Sequence, residues 1–337
     1  MKSRRRILLL MIAVLVIGIV AVGCSGSSEK GGDGEKRPQE FIKIATGNTG
    51  GTYYPVGVAM GQLFSQKISY VTSSAMSTGG SVDNIGLLRS NEAQVATMMA
   101  TVVNWAFFGE EQFADNKYDE LRAITSLWPN LNHIVVLKDI KSFEDLKGKR
   151  FVVGAARSGT ETDSYAILSS LGLYYRDEDG GKKNIEPVWV NYAEAVEAMK
   201  NRQVAGGMFN TFPPGSAVAD LMANGDAHIL SLTDEQIAQL SAQHPLYIKY
   251  TIPAGTYPNQ PQDVQVSGYP NILITTTNVP EDTVYEMTKT IFENLDFLET
   301  AHQAAKSIRL EDATKGVQIP FHDGAKRYLE EQGAWNK

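Results

Sequence analysis

Apolar residues run almost unbroken from Ile7 to Val22, behind the basic cluster Lys2, Arg4, Arg5 and Arg6, and the run closes on Val22-Gly23-Cys24. It is shorter than the roughly 20 residues that a helix needs to cross a bilayer, and small residues end it, so residues 1–23 are predicted to be an export signal. An uncleaved N-terminal anchor is the alternative, and either arrangement tethers the chain to a membrane from outside the cytoplasm. Residues 24–40, centred on Gly-Gly-Asp-Gly-Glu-Lys-Arg-Pro, have no apolar periodicity and form a flexible linker.

From Phe41 the pattern changes to alternation and then to helical spacing. Phe41 to Ala45 predicts a strand that enters the glycine-rich turn Thr46 to Thr52. Pro55 suits a helix's first turn, and Val56, Ala59, Met60, Leu63 and Phe64 recur on one helical face. The same strand, loop and helix unit returns at Val71 to Ser74, Thr78 to Ser81 and Val82, Ile85 and Leu88, with Ser81 as the cap. Ala93 to Met99 predicts the next strand.

A second set starts near Trp128. Strands are predicted at His133 to Leu137, Arg150 to Gly154, Val188 to Val190 and Val204 to Phe209. Between them lie a short helix from Ser142 to Leu146, one that ends at Gly172 with Thr160 and Asp163 near capping-box spacing, and one from Ala193 to Asn201. Asn91-Glu-Ala-Gln-Val-Ala before Met98 to Thr101 is echoed by Asn201-Arg-Gln-Val-Ala before Met208 to Thr211. Alternating strands and helices of this kind predict two α/β lobes with their loops collected at the carboxyl ends of the strands. The first lobe would comprise residues 41–127, the second 128–250, and residues 251–337 would return to the first, with Pro253, Gly255 and Pro258 marking the crossing. Trp105, Trp128, Trp189 and Trp335 are expected to be packing residues.

Composition narrows the function. The four basic residues at the N-terminus leave the remainder with a net charge near −11, which argues against a nucleic-acid partner. The single cysteine, Cys24, excludes an internal disulfide and every CxxC site, and the five scattered histidines carry no metal-ligand spacing. No metal and no cofactor is expected. Ser158 sits where a strand meets a helix, but Gly154-Ala-Ala-Arg-Ser-Gly is not GxSxG and no histidine pairs with it by spacing, so an enzyme is not expected.

The loops at the strand ends supply the candidate binding residues. Asn48, Gly50, Gly51, Thr52, Tyr53 and Tyr54 offer close backbone approach beside a helix N-terminus, which suits an anion. Gly79, Ser81 and Asn84 repeat that geometry. Arg157, Ser158, Gly159 and Thr160 combine hydroxyls, amides and one guanidinium, a set that fits a carboxylate. Tyr192, Asn210, Thr211 and Phe212 sit at strand exits of the second lobe and are expected to close over a ligand.

Several of these segments occur together in one family. Thr46-Gly-Asn-Thr-Gly-Gly-Thr-Tyr-Tyr-Pro-Val-Gly, Ser77-Thr-Gly-Gly-Ser-Val-Asp-Asn, Asn191-Tyr-Ala-Glu-Ala-Val-Glu-Ala-Met-Lys, Thr251-Ile-Pro-Ala-Gly-Thr-Tyr-Pro and Ile319-Pro-Phe-His-Asp-Gly-Ala-Lys-Arg-Tyr closely resemble signatures of the TAXI solute-binding receptors of TRAP transporters. The resemblance spans about Ile42 to Gly333. It implies a type II periplasmic-binding-protein fold, two α/β lobes with a ligand cleft between them. It also implies capture of a small carboxylate such as glutamate or 2-oxoglutarate, delivery to TRAP-type permease subunits, and no cofactor. Cys24 resembles a lipoprotein acylation site, although Ala21 replaces the usual Leu. The chain departs from the family at Ala100-Thr101-Val102, where Gln-Ser-Asp is frequent, and at Val204-Ala205-Gly206, where Ile-Asp-Ala is. A tethered sensor and, further off, an exported enzyme are the alternative functions.

Overall fold

The computed structural model describes residues 37–177 and 180–335. The predicted export signal, Cys24 and most of the linker lie outside the described residues. Ten strands form one mixed sheet: β1 (Glu40–Ala45), β2 (Val71–Met76), β3 (Val95–Met99), β4 (Leu121–Leu137), β5 (Arg150–Val152), β6 (Glu186–Val188), β7 (Gly206–Thr211), β8 (Ala227–Ile229), β9 (Ile248–Ile252) and β10 (Val264–Thr276). The hydrogen-bonded order is β2-β1-β3-β10-β4-β7-β5-β6, with β8 beside β4 and β9 beside β10. Pairing is parallel among β1, β2 and β3 and among β5, β6 and β7, and antiparallel wherever β4 or β10 takes part. Parallel neighbours require crossover helices, so helices cover the sheet. They are α1 (Tyr53–Lys67), α2 (Ser81–Arg89), α3 (Ala100–Phe108), α4 (Gly159–Ser170), α5 (Tyr192–Lys200), α6 (Ser216–Met222), α7 (Asp234–Gln243), α8 (Glu281–Phe292), α9 (Leu295–Ala301) and α10 (Asp323–Glu331).

The predicted apolar stripe of α1 is the buried one: Val56, Ala59, Met60, Leu63 and Phe64 pack on the sheet. β3 is buried throughout, as an unbroken run of small and apolar residues demands. A large cluster containing Ile44, Trp128 and Leu273 and a smaller one around Val135, Phe209, Val218 and Val266 form the core.

β4 and β10 are the strands that carry the chain from one half of the sheet to the other. The first 11 or so residues of β4 pair with β10, whereas Leu131 to Val136 pair with β7. In the middle of this pair Pro129 stands opposite Pro270, and the register shifts just beyond it. Proline has no N–H, so neither of these facing residues supplies a ladder donor at this point of the crossing. Next to them Gly268 lies so close to β4 that an added Cβ would be 2.6 Å from the Asn130 carbonyl oxygen. Gly268→Ala therefore separates the crossing strands and should lower the stability by about 2 kcal/mol, read as a reduced urea midpoint at unchanged slope.

Several expectations are corrected. His133 to Leu137 is only the end of the 17-residue β4; Thr125, Ser126, Asn130 and Asn132 hide the rest because they are polar yet buried and hydrogen-bonded. The Ser142 helix is a single 3-10 turn, Glu144–Leu146, because the Asp145 carboxylate accepts from the Lys141 and Ser142 amides. Pro253, Gly255 and Pro258 form the connection of the β9–β10 hairpin, and the return crossing lies within β10. Trp189 is 49% exposed and is not a packing residue.

Candidate functional site

The N-termini of α1, α2, α4 and α5 converge on one cavity of about 50 Å³ where the two halves of the sheet meet. That volume is about three to five times what one water needs, room for a compact solute and far less than a nucleotide occupies. Thr52 and Tyr53 border it from α1, Gly80 and Ser81 from α2, Ser158 to Thr160 from α4, and Asn191 and Tyr192 from α5. Each helix start carries partial positive charge and unpaired N–H groups. Ser158 and Asn191 cap their own helices, accepting from Glu161 N at 3.1 Å and Glu194 N at 3.1 Å. α1 and α2 have no side-chain cap, which leaves their first-turn donors available to a bound anion.

No lysine or arginine lines the cavity. Arg157, open from sequence to either a carboxylate contact or a solvent-facing place, occupies a left-handed backbone conformation (φ 61°) that turns its side chain outward, 72% exposed and 3.9 Å from Asp83. Electropositive character here comes from the backbone.

The structure gathers most of the remaining predicted residues. Asn48, Gly51, Thr52, Tyr53, Gly79, Ser81, Ser158, Gly159, Thr160, Tyr192 and Asn210 line the cavity. Gly50, Tyr54, Asn84, Thr211 and Phe212 do not. The Gly50 carbonyl accepts from Ser216 Oγ at 3.3 Å, and Thr211 Oγ1 lies 3.3 Å from Thr52 Oγ1, so both fasten one half of the molecule to the other. Asn84 is a buried clamp whose amide donates to the Thr46 and Thr97 carbonyls at 2.8 and 3.1 Å. Tyr54 is half-buried beside the site, and Phe212 packs against the main core. Ser81 does not cap α2; its hydroxyl accepts from Met99 N at 3.1 Å and joins the α2 start to the end of β3.

Tyr192 organises the second half's side. Its hydroxyl accepts from Asn210 N at 2.9 Å, lies 3.0 Å from Asn210 O and is 2.9 Å from Thr160 Oγ1. Burial pushes the phenol up to about 12, so it stays protonated.

Gly80, within the expected Gly79-Gly80-Ser81 loop, also lines the cavity, as do Gly47, Met99, Asn130, Ala155 and Asn191, which are not among the residues expected from sequence. It also misplaced Asp163. One turn into α4, this residue is fully buried behind the cavity wall rather than capping a helix. Its carboxylate accepts from Tyr247 (2.6 Å), Asn132 (3.0 Å), Asn210 (2.5 Å), Thr101 (3.5 Å) and Tyr269. Desolvation nevertheless outweighs these donors and raises its pKa to about 7. Pattern reading could not find it, since its donors come from α3, β4, β7, β10 and the loop before β9.

A mixed sheet crossed by two long strands, with helix N-termini turned onto a cavity between its halves, is the α/β fold of periplasmic binding proteins. The chain belongs to the NMT1-like family, whose model matches residues 44–333. Two solved structures share the fold at low identity. A protein from Bordetella bronchiseptica RB50 is 16% identical with a TM-score of 0.53, over 87% of this chain and 82% of that one. A Xanthomonas citri protein solved with ATP is 8% identical with a TM-score of 0.50, over 87% and 96%. The periplasmic aliphatic sulphonate binding protein of Escherichia coli is 15% identical with a TM-score of 0.45, over 87% and 84%. Among the described residues no helix is long and apolar enough to cross a membrane.

Proposed function

We propose that this protein is an extracytoplasmic receptor that captures a small carboxylate between two α/β lobes and delivers it to a membrane permease of the TRAP type. The observation that carries the reading is the convergence of four helix N-termini on a small cavity bordered by no basic side chain. Such a site binds an anion through fixed N–H dipoles, and its small volume favours a compact acid. The basic and apolar N-terminus ending at Cys24 supports export and a lipid tether, and the TAXI-like loops support the transporter class. The lobes are the half with β1 to β3 and the half with β5 to β8, joined through β4 and β10.

A thermal-shift screen of small carboxylates, sugars and inorganic cations tests the reading. A carboxylate present at 100 times its dissociation constant should add about 2.7 kcal/mol of stability. Thr160→Ala should weaken that binding by about 1 to 2 kcal/mol, because it removes a hydroxyl at the α4 start and leaves the Tyr192 hydroxyl short of a partner. Stabilisation by sugars or cations and by no carboxylate would overturn the proposal.

A further inference from the structure

Helix N-termini recognise any small anion, so selectivity must come from the wall that carries no helix dipole. Asn210 forms part of that wall. It is 7% exposed, and its backbone is pinned on both sides by the Tyr192 hydroxyl. Its side-chain nitrogen donates to Asp163 Oδ2 at 2.5 Å and lies 3.4 Å from the Tyr269 hydroxyl. Turning the amide over would set its oxygen against a carboxylate oxygen, so the acid fixes which end points where. The consequence is that Asn210 Oδ1, on a residue that borders the cavity, is buried with no hydrogen-bond partner. A buried acceptor left in this way is costly unless a donor arrives.

We infer that Asn210 is a specificity-determining residue that accepts a hydrogen bond from an N–H or O–H group on the bound acid, with Asp163 as the positioning residue that locks its amide. The inference rests on the carboxylate reading above and refines it: the solute carries a donor in addition to its anionic group, as an amino or hydroxy acid does and a plain or oxo dicarboxylate does not. On this inference the site has two poles, N–H donors at the helix starts and the Asn210 amide oxygen on the Asp163 side. Asp163 itself does not border the cavity, and its five donors leave it no role in direct contact.

Matched ligands test this without any mutation. Titration calorimetry at pH 8, above the titration of Asp163, would compare L-glutamate and 2-hydroxyglutarate with glutarate and 2-oxoglutarate, and aspartate and malate with succinate. In whichever series binds, the donor-bearing acids should bind at least about tenfold more tightly than the donor-free ones. Asn210→Leu should bring the affinities of the two groups to within about twofold of each other. Asp163→Asn should reduce the same ratio by freeing the Asn210 amide to turn over, a readout that a general loss of stability would not move. Equal affinity for donor-bearing and donor-free acids in the unmodified protein would overturn this inference and leave the carboxylate proposal standing. Failure of both series to bind would overturn the two together.

Discussion

Gly159→Ala is expected to weaken carboxylate binding by roughly 100-fold while the unliganded protein still folds. The reason lies in where Gly159 sits. It opens α4 on the second half of the sheet and faces Met99, the last residue of β3 on the first half. A Cβ built on Gly159 would stand 2.2 Å from Met99 Sδ and 3.2 Å from Ser81 Oγ. Met99 is itself 5% exposed, and the free volume beside it is the cavity. The added methyl therefore either holds the two halves apart or drives the thioether into the space of the solute. Either way the strain falls on the arrangement in which the two halves touch, because the contact joins residues from opposite halves. Overpacking of one methyl costs about 1 to 3 kcal/mol, and a ligand gripped from both halves loses affinity by that whole amount. Calorimetric affinity together with small-angle scattering provides the check: the variant should keep the larger radius of gyration at ligand concentrations that compact the unmodified protein. An affinity within twofold of the original would show that the closed contact is not needed for binding.

Opposed pH dependences of two buried groups between about pH 4 and 6.5 are the second expected result, and two single substitutions should expose each in turn. Asp163 titrates near 3.8 when unfolded and about 7 when folded, since burial penalises its charge and no cation compensates it. Across that window the folded state holds the extra proton, so each rise of one pH unit removes about 1.4 kcal/mol. The titratable groups that face this acid are the phenols of Tyr53, Tyr192, Tyr247 and Tyr269, all raised by burial and uncharged over this range. His133 does the reverse. Fully buried, it is lowered from 6.5 to about 4, with Nδ1–H donating to the Leu131 and Phe209 carbonyls and Nε2 accepting from the Tyr257 hydroxyl at 2.9 Å. Over the window the unfolded state holds its extra proton, so stability rises with pH.

Asp163→Asn, which keeps the shape of the protonated acid, should therefore leave a rise of about 3 kcal/mol from pH 4 to 6.5. His133→Asn, which preserves the donor to the two carbonyls, should leave a fall of about 4 kcal/mol from pH 4 to 7. His228, His244, His302 and His322 are also lowered by partial burial and add to the rising side in every variant. The difference between the two substituted proteins is the decisive quantity. Urea unfolding at half-unit pH steps measures it, and parallel profiles for the two variants would show that neither group is perturbed as described.

Local chemistry alone determines where the helices of this protein begin. Glycine turns at Thr46 to Thr52 and Thr78 to Gly80, and the capping box of Asn191 and Glu194, fix helix starts within a few residues, and α/β alternation places such starts at strand ends. Eleven of the expected binding residues consequently meet in one cavity, because backbone N–H groups follow directly from where a helix starts. Side-chain destinations were another matter. Arg157, which its sequence leaves free to face either ligand or solvent, is carried outward by its own left-handed backbone; Asn84, a polar residue beside the loop, is a buried clamp. Only the folded molecule assembles Asp163 with Thr101, Asn132, Asn210, Tyr247 and Tyr269, residues spread over about half the chain, so that an acid with no local signature sets the orientation of an amide in the binding wall. Spacing encodes what neighbours along the chain do to one another. The long crossing strands and the buried acid depend on contacts at a sequence separation of 30 to more than 100 residues, and no local pattern carries those.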